Sequence, residues 1–335
     1  KRQLLVGSSF CLSKTKYITK MSSYFFSRLK ILILSLFFAS LIIFFMIEII
    51  PGDPASFMLG INAEPETVDA LRKELGLDIS TFERYFNWIT GMFIGDFGVS
   101  YTYRVPVSEL VMARIGVSIP LALYAIFLST LIAIPIGIFS ASNHGNFKDW
   151  SFMGFTQLGI AIPNFWFAMV LVLIFSIYLK WFSAGGVPGW DKGFFINFEA
   201  LTLPAFALAL PPASILARIM RSALIETLSQ DYFRTARASG LTFFQAVKKH
   251  AFRNALIPVL TIIGLQFSFL IAGAIIIENV FFLPGIGRLI FQGIVQRDLI
   301  VVESVVMLLV FSVIIVNFLV DMAYLYVDPR LRVKK

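Results

Sequence analysis

The segment DYFRTARASGLTFFQAVKKHAFRNALIP, residues 231–258, is the longest polar stretch in the second half of the chain, and long apolar runs lie on both sides of it. Its only acid is Asp231, against five basic side chains. These are Arg234, Arg237, Lys248, Lys249 and Arg253. Charged side chains are costly in hydrocarbon, so the segment must lie in water between two membrane spans. We interpret it as a docking surface for a soluble partner protein.

Two short helices are predicted within this loop. Asp231 is a suitable N-cap, because its carboxylate can accept a hydrogen bond from a backbone N–H two or three residues further on. Tyr232 to Ser239 contains good helix formers, and Gly240 fits the left-handed position that ends a helix. Thr242 then opens a second helix, with Gln245 three residues later as a capping box.

The same loop resembles that of a known family. The strings RTARASGL (234–241) and KKHAFRNALIP (248–258) resemble the cytoplasmic loop of permease subunits of binding-protein-dependent ABC importers, in particular the dipeptide, oligopeptide and nickel branch. The general importer motif has Glu-Ala-Ala before the glycine, whereas Arg-Thr-Ala (234–236) stands there in this chain. Further resemblances to the branch are PGDPA (51–55), ELGLD (74–78), GDFGVS (95–100) and DPR (328–330).

This resemblance implies an all-α integral membrane protein with the type I importer permease fold, which has six transmembrane helices and an external segment between spans 1 and 2. The implied partners are a second homologous permease, two ABC ATPase subunits, an external substrate-binding protein and the lipid bilayer. ATP and Mg²⁺ are expected in the ATPase subunits, whereas this chain is expected to bind no cofactor or metal and to be non-catalytic. The expected ATPase-docking residues are Asp231, Tyr232, Arg234, Thr235, Ala236, Arg237, Ala238, Ser239 and Gly240.

Composition points to the same class of protein. Of 335 residues, 58% are hydrophobic and 14% are charged, whereas soluble domains average about 25% charged residues. The single cysteine, Cys11, excludes an internal disulfide and a cysteine-based metal site. His144 and His250 lie in different predicted loops, so we interpret them as solvated rather than as metal ligands.

The chain divides into four parts by hydropathy. Residues 1–20 are predicted to be an N-terminal extension without a fold of its own, and residues 21–50 hold the first span. Residues 51–114 are predicted to be external, and residues 115–335 form a core with five spans and the coupling loop 226–254. These five spans are predicted at 119–141, 151–179, 201–220, 256–277 and 301–320. The span at 151–179, the third of the six, is interrupted by Gly154, Gly159 and Pro163. The helix that opens at Thr242 is expected to run to about Asn254, ahead of the span near Pro258.

The external segment is predicted to contain two helices. One runs from Pro65 to Leu75 and is stopped by Gly76. The other runs from Ser80 to Phe93, with Ser80 and Glu83 as a capping box. Its apolar stripe is predicted to contain Phe82, Phe86, Ile89 and Phe93. We expect this helix to lie along the membrane surface or to pack on the spans.

Basic residues set the predicted orientation. With the N-terminus inside, 19 of the 28 Lys and Arg residues fall on the cytoplasmic side, as the positive-inside rule requires. Both termini and the 231–258 loop are therefore predicted to be cytoplasmic, in a bacterial inner membrane. This topology also explains the net charge of +8 without nucleic-acid binding.

Several functions are disfavoured by what the sequence lacks. It has no G-x-x-x-x-G-K-[ST] motif for ATP and no H-E-x-x-H, C-x-x-C or G-x-S-x-G motif. The charged residues near the spans are Glu48, Arg218, Glu278, Glu303 and Asp321. All lie near predicted span ends, where we interpret them as snorkelling charges, and this placement argues against an ion-driven carrier. The candidates for lining a pathway are Gln157, Asn164, Gln266 and Ser268.

The predicted function is thus the permease subunit of an ATP-driven importer of di- and oligopeptides. Nickel chelates or other small solutes remain alternative cargoes within the same family. An ion-coupled secondary carrier remains the alternative outside it, and uptake without nucleotide would favour that class.

Overall fold

A computed structural model describes residues 2–49, 52–60 and 62–327, with side chains described within 25–49, 52–60 and 62–322. Within these ranges the chain is helical apart from turns and one antiparallel bridge between Val99 and Pro106. The α-helices are α1 (Arg2–Glu48), α2 (Pro54–Leu59), α3 (Pro65–Glu74), α4 (Thr81–Ile94), α5 (Val107–Ser142), α6 (Phe147–Ala161), α7 (Asn164–Leu171), α8 (Phe194–Leu228), α9 (Asp231–Ala238), α10 (Phe243–Ala246), α11 (Phe252–Val280), α12 (Ile286–Val295) and α13 (Leu299–Val327). Two π-helical turns, Val172–Tyr178 and Val247–Ala251, extend α7 and join α10 to α11.

Five helical stretches are long and apolar enough to cross a membrane. They are Phe25–Glu48, Val107–Ser142, Phe194–Leu228, Phe243–Val280 and Leu299–Met322. A sixth crossing is available if the pair Phe147–Ala161 and Asn164–Tyr178 is counted as one span. The all-helical class and the approximate count of six spans are therefore confirmed.

Residues 2–20 are helical and continue directly into the first span. The prediction that residues 1–20 have no fold of their own stays a prediction, because a helix that continues into the first span is not an independent fold. Between Arg2 and Lys20 the sequence contains one glycine and no proline, so no residue there removes a hydrogen bond from a continuing helix.

The third predicted span is sharply bent. The helix axis changes direction by 100° between its two helices, and Ile162 between them is extended, with φ −78° and ψ 125°. Pro163 explains the break, because a proline disfavours helical geometry in the residue before it. The predicted interruption at this proline is thus a change of direction rather than a mild kink.

α8 is the central helix of the bundle, and its most extensive contact is with α5. Small buried residues recur every four positions on both helices, which allows their backbones to approach closely. They are Ala125, Ser129, Ala133, Gly137 and Ala141 on α5, and Ala205, Ala209, Ala213 and Ala217 on α8. Pro204, Pro211 and Pro212 lie within α8 without ending it.

The segment between α1 and α5 contains both predicted helices. α3 ends before Gly76, which is left-handed (φ 66°), as predicted. The Ser80 hydroxyl accepts from the Glu83 backbone N–H, which confirms Ser80 as the N-cap of α4. Three residues of the predicted stripe, Phe82, Phe86 and Phe93, are exposed rather than buried against the spans. Tyr85 and Trp88 instead provide the buried contacts of α4.

One buried acid ties this segment to the C-terminal part of the chain. Asp298, which is fully buried, precedes α13. Its carboxylate accepts hydrogen bonds from the Ser100 hydroxyl (2.5 Å) and from the backbone N–H groups of Tyr101 (3.1 Å) and Thr102 (3.0 Å). The loop before α5 is thereby held against the start of α13.

Candidate functional site

The polar segment between α8 and α11 folds into a short surface helix, α9. Gln230 precedes it with extended geometry (φ −74°, ψ 148°) and occupies the N-cap, but its side chain does not cap the helix. This corrects the prediction of Asp231 as the N-cap. Asp231 is in the first helical turn, where its carboxylate faces Arg234 at 3.7 Å. A carboxylate in the first turn still interacts favourably with the helix dipole.

The end of α9 follows the predicted chemistry. Gly240 has φ 90° and no neighbouring atom where a Cβ would stand, so the position needs glycine for its backbone geometry and not for space. The Arg237 guanidinium donates to the Leu241 carbonyl at 2.8 Å, and the Ser239 hydroxyl donates to the Thr235 carbonyl at 2.9 Å. Both bonds satisfy carbonyls at or beyond the end of the helix.

The second helix begins as predicted and ends differently. The Thr242 hydroxyl accepts from the Gln245 backbone N–H, and the Gln245 side chain accepts from the Thr242 N–H, so the capping box is confirmed. The helix does not stop near Asn254. It continues through Pro258 as one stretch from Phe243 to Val280. This proline lies inside α11 and lacks a backbone N–H, yet it does not end the helix.

α9 is fixed to this long helix by its inner face. Phe233 and Ala236 are buried in a cluster with Ala246, Val247 and Ala251, and the rings of Phe233 and Phe243 meet edge-on at 6.0 Å. Sequence reasoning missed Phe233. Ala236, which we predicted to dock on a partner, faces inward instead, because it lies one helical turn from Phe233 on the same side.

The outer face of α9 is polar and exposed. It contains the other eight predicted docking residues, Asp231, Tyr232, Arg234, Thr235, Arg237, Ala238, Ser239 and Gly240. The Tyr232 hydroxyl accepts from the Asn254 side chain at 3.1 Å, which links this face to α11. The arrangement is a rigid, polar surface helix whose base is packed against the ends of two long helices.

A buried ion pair fixes the neighbouring end of α8. The Asp149 carboxylate is 2% exposed and accepts two hydrogen bonds of 2.6 Å from Arg221. The Ser140 hydroxyl and the Gly145 backbone N–H also donate to it, and the His144 ring lies 3.3 Å away. Sequence reasoning missed this group. An acid at the start of an apolar helix was the available signal, but its partner is 72 positions away.

The four pathway candidates are not brought together into one lining. The Gln157 carbonyl accepts from Arg218 at 3.3 Å, and both side chains are exposed. Gln266 is buried and donates to the Pro212 carbonyl at 3.0 Å. This hydrogen bond joins α11 to α8, and the assignment of Gln266 to a pathway stays a prediction. The two others are Asn164, half-buried at the start of α7, and Ser268, whose hydroxyl is buried without a hydrogen-bond partner.

Two charged residues expected at the membrane interface are buried in protein. Glu278 is fully buried and accepts from the Ser118 hydroxyl (2.5 Å) and from the Arg288 backbone N–H (3.0 Å). Glu303 is 4% exposed. The snorkelling interpretation is therefore wrong for both. Each lies near a helix end as expected, but the turn before α12 and the segment before α5 cover these ends.

The described residues contain no cluster of three or more His, Cys, Asp or Glu side chains arranged to hold a metal ion. The site that remains is a polar helix between two long apolar helices. Such a fold and site define a multi-pass α-helical membrane protein with an exposed polar helix between two of its long apolar helices.

Comparison with known families gives a narrower identification. The family described as the binding-protein-dependent transport system inner membrane component matches residues 133–333, and the N-terminal part of the same membrane components matches residues 21–122. The chain therefore belongs to the inner-membrane components of binding-protein-dependent transport systems. It is a multi-pass inner-membrane protein.

Relatives are similar over nearly their whole length. A putative peptide transport system permease protein of Brucella abortus is 41% identical over 296 residues, covering 88% of this chain and 93% of its own. A probable peptide ABC transporter permease protein of Sinorhizobium fredii is 34% identical, over 93% of this chain and 100% of its own. The glutathione transport system permease protein GsiC of Salmonella typhimurium is 36% identical, over 94% and 100% respectively.

Among solved structures, a chain of the inward-facing MetNI methionine ABC transporter matches with a TM-score of 0.54. The match covers 66% of this chain and 97% of that chain. At 18% identity, the likeness concerns the fold alone.

Proposed function

We propose that this chain is a permease subunit of an ATP-driven importer of peptides. The support is membership of the family together with the names of its relatives, two of which are peptide permeases and one a glutathione permease. Glutathione is itself a short peptide. Nickel chelates and other small solutes are the alternative cargoes of the same proposal.

In this proposal a second homologous permease, two ABC ATPase subunits and an external binding protein complete the transporter. ATP and Mg²⁺ bind to the ATPase subunits, and this chain has no catalytic residue of its own. Both termini and α9 lie in the cytoplasm, which agrees with the distribution of basic residues.

The proposed mechanism depends on the packing of Phe233, which couples the movement of α9 to that of α11. The exposed face of α9 inserts into a groove of an ATPase subunit, where Arg234 and Arg237 meet acidic groups. When the ATPases close on nucleotide, α9 moves with them. Because Phe233 and Ala236 are buried against Phe243 and Val247, α9 cannot move without displacing the base of α11. The movement therefore reaches the spans directly.

Gly240 provides the test, with Gly76 as a matched control. Both glycines have a left-handed backbone conformation at the end of a helix, and no atom outside the adjacent residues lies within 4 Å of the position that a Cβ would take. A valine at either position costs roughly 1–2 kcal/mol of backbone strain. Gly240→Val is expected to abolish ATP-coupled uptake in proteoliposomes, because it redirects α9, while Gly76→Val leaves uptake largely intact.

Membrane insertion of both variants is checked by extraction and sedimentation. Normal ATP-coupled uptake by an inserted Gly240→Val variant would contradict docking through α9. Uptake by the unmodified chain without any nucleotide, driven by an ion gradient, would instead favour the secondary carrier.

A further inference from the structure

α4 presents three phenylalanines on one flank with no protein against most of their surface. Phe82, Phe86 and Phe93 are 70%, 60% and 86% exposed. At 3.6 residues per turn, the three positions fall within roughly 40° of arc on the helix. They form a continuous aromatic ridge, named here the phenylalanine ridge.

The rotation of α4 about its axis is fixed by its buried face. The Tyr85 hydroxyl is hydrogen-bonded to the Ser40 hydroxyl at 2.9 Å, and the Trp88 indole N–H donates to the Ser304 hydroxyl at 3.2 Å. These bonds attach α4 to α1 and α13 together. The phenylalanine ridge is therefore held facing sideways from the bundle and cannot turn inward.

The side of α4 beyond the ridge is polar. Glu83, Asn87 and Thr90 are exposed there, at positions 140–200° from Tyr85 by the helical repeat of roughly 100° per residue. A helix that is buried on one face, aromatic on one flank and polar beyond it fits a boundary between apolar and aqueous surroundings.

Contacts with α1 give the depth of α4. Arg84 pairs with Glu48 at 3.0 Å, at the end of α1. The Tyr85 hydroxyl is hydrogen-bonded to Ser40, which precedes Glu48 by eight residues, or about 12 Å along the axis of α1. The ring of Phe82 lies 6.5 Å from that of Phe45. The Phe82 end of the phenylalanine ridge is thus level with the apolar end of the first span.

We propose that the phenylalanine ridge is a lipid-binding surface, inserted among the acyl chains of the nearer leaflet. That leaflet is the external one in the topology proposed above. The ring contact between Phe82 and Phe45 joins the ridge to α1, whose exposed apolar residues include Phe38, Ile42 and Met46. Burial of apolar and aromatic surface in the leaflet is the driving force. The bilayer, and not another protein, is the occupant to which this continuity points.

This surface gives α4 a second attachment. Its buried face is hydrogen-bonded to α1 and α13, and the ridge is inserted in the bilayer. The loop after α4 is bound in turn through Ser100 to Asp298. The segment between α1 and α5 is therefore positioned relative to the bilayer as well as to the bundle, whatever solute the transporter carries.

Site-directed spin labelling measures the surroundings of each flank. The natural cysteine is removed by Cys11→Ser, and single cysteines are introduced by Phe86→Cys and Phe93→Cys on the ridge. Glu83→Cys and Asn87→Cys on the polar side are matched controls within the same helix. The chain is purified with its accompanying subunits and reconstituted in vesicles of phosphatidylethanolamine and phosphatidylglycerol. Accessibility is measured to oxygen, which concentrates in hydrocarbon, and to a water-soluble nickel chelate.

The labels at 86 and 93 are expected to have an oxygen-to-nickel accessibility ratio several-fold higher than the labels at 83 and 87. Low ratios at 86 and 93, equal to those at 83 and 87, would place the ridge in water and overturn the proposal. Shielding of 86 and 93 from both reagents would show that another protein covers the ridge, and would overturn it equally. Phe82→Cys supplies a third ridge position, so that one poorly folded variant does not decide the result.

Discussion

At the scale of single residues, the most consequential group outside α9 is Asp149. Its carboxylate binds Arg221 through two short hydrogen bonds and also accepts from the loop before α6. Arg221 lies two helical turns before the end of α8. The pair therefore fixes the part of α8 that leads into α9.

Asp149→Asn is expected to lower the free energy of unfolding by about 3 kcal/mol, because it leaves Arg221 half-buried without a counter-charge. Urea or dodecyl sulfate titration of the purified chain measures this loss. Arg218→Gln is the control, since Arg218 is exposed three residues away on the same helix and bonds only weakly to Gln157. A change within about 0.5 kcal/mol is expected there. Equal losses of unfolding free energy in the two variants would mean that the buried ion pair stabilises the chain no more than the exposed Arg218 does.

Residue-level prediction succeeded where the chemistry is local. Gly240 and the Thr242–Gln245 box act through backbone geometry within four residues, so their sequence context was sufficient. The prediction that Glu278 snorkels to the membrane interface failed because its hydrogen-bond partners, Ser118 and Arg288, come from other elements. The burial of Phe233 depends in the same way on a helix that begins ten residues later.

At the scale of elements, α5 and α8 pack closely because the residues at their contact have small side chains or none. A Cβ on Gly137 would lie 2.6 Å from the Met220 Cβ and 2.8 Å from the Ala217 carbonyl oxygen. Neither neighbour can move aside easily, since both are anchored in α8. The four-residue spacing of small residues was visible in the sequence, but it did not reveal which helix would pack against it.

A single methyl group tests this contact. Gly137→Ala is expected to lower the free energy of unfolding by about 1–3 kcal/mol through overpacking. Gly154→Ala is the matched control, because Gly154 is also helical and has nothing within 4 Å of a Cβ. It is expected to be neutral or to stabilise by up to about 1 kcal/mol through helix propensity. Equal effects of the two changes would contradict close packing at Gly137.

At the scale of the whole molecule, the bent helix pair decides the topology. Each of its two helices has 15 residues and is about 22 Å long. Because the axis changes direction by 100° between them, their outer ends lie roughly 29 Å apart. This distance is close to the ~30 Å thickness of a hydrocarbon core. The pair can therefore cross the membrane despite the bend, whereas a re-entrant pair would return to the side from which it started.

Cysteine labelling across the membrane distinguishes these two topologies, since the exposed Lys148 lies in the first turn of the bent pair and Lys192 follows the pair. Asp78 and Asp231 give further exposed positions on the predicted outside and inside. In the Cys11→Ser background, an impermeant maleimide added to intact cells is expected to label cysteines at 78 and 192. Cysteines at 148 and 231 are expected to react only after the membrane is permeabilised. If 148 and 192 reacted from the same side, the pair would be re-entrant and the chain would have five spans. Then α9 and the segment before α5 would lie on the same side, and docking of α9 on a cytoplasmic ATPase would lose its topological basis.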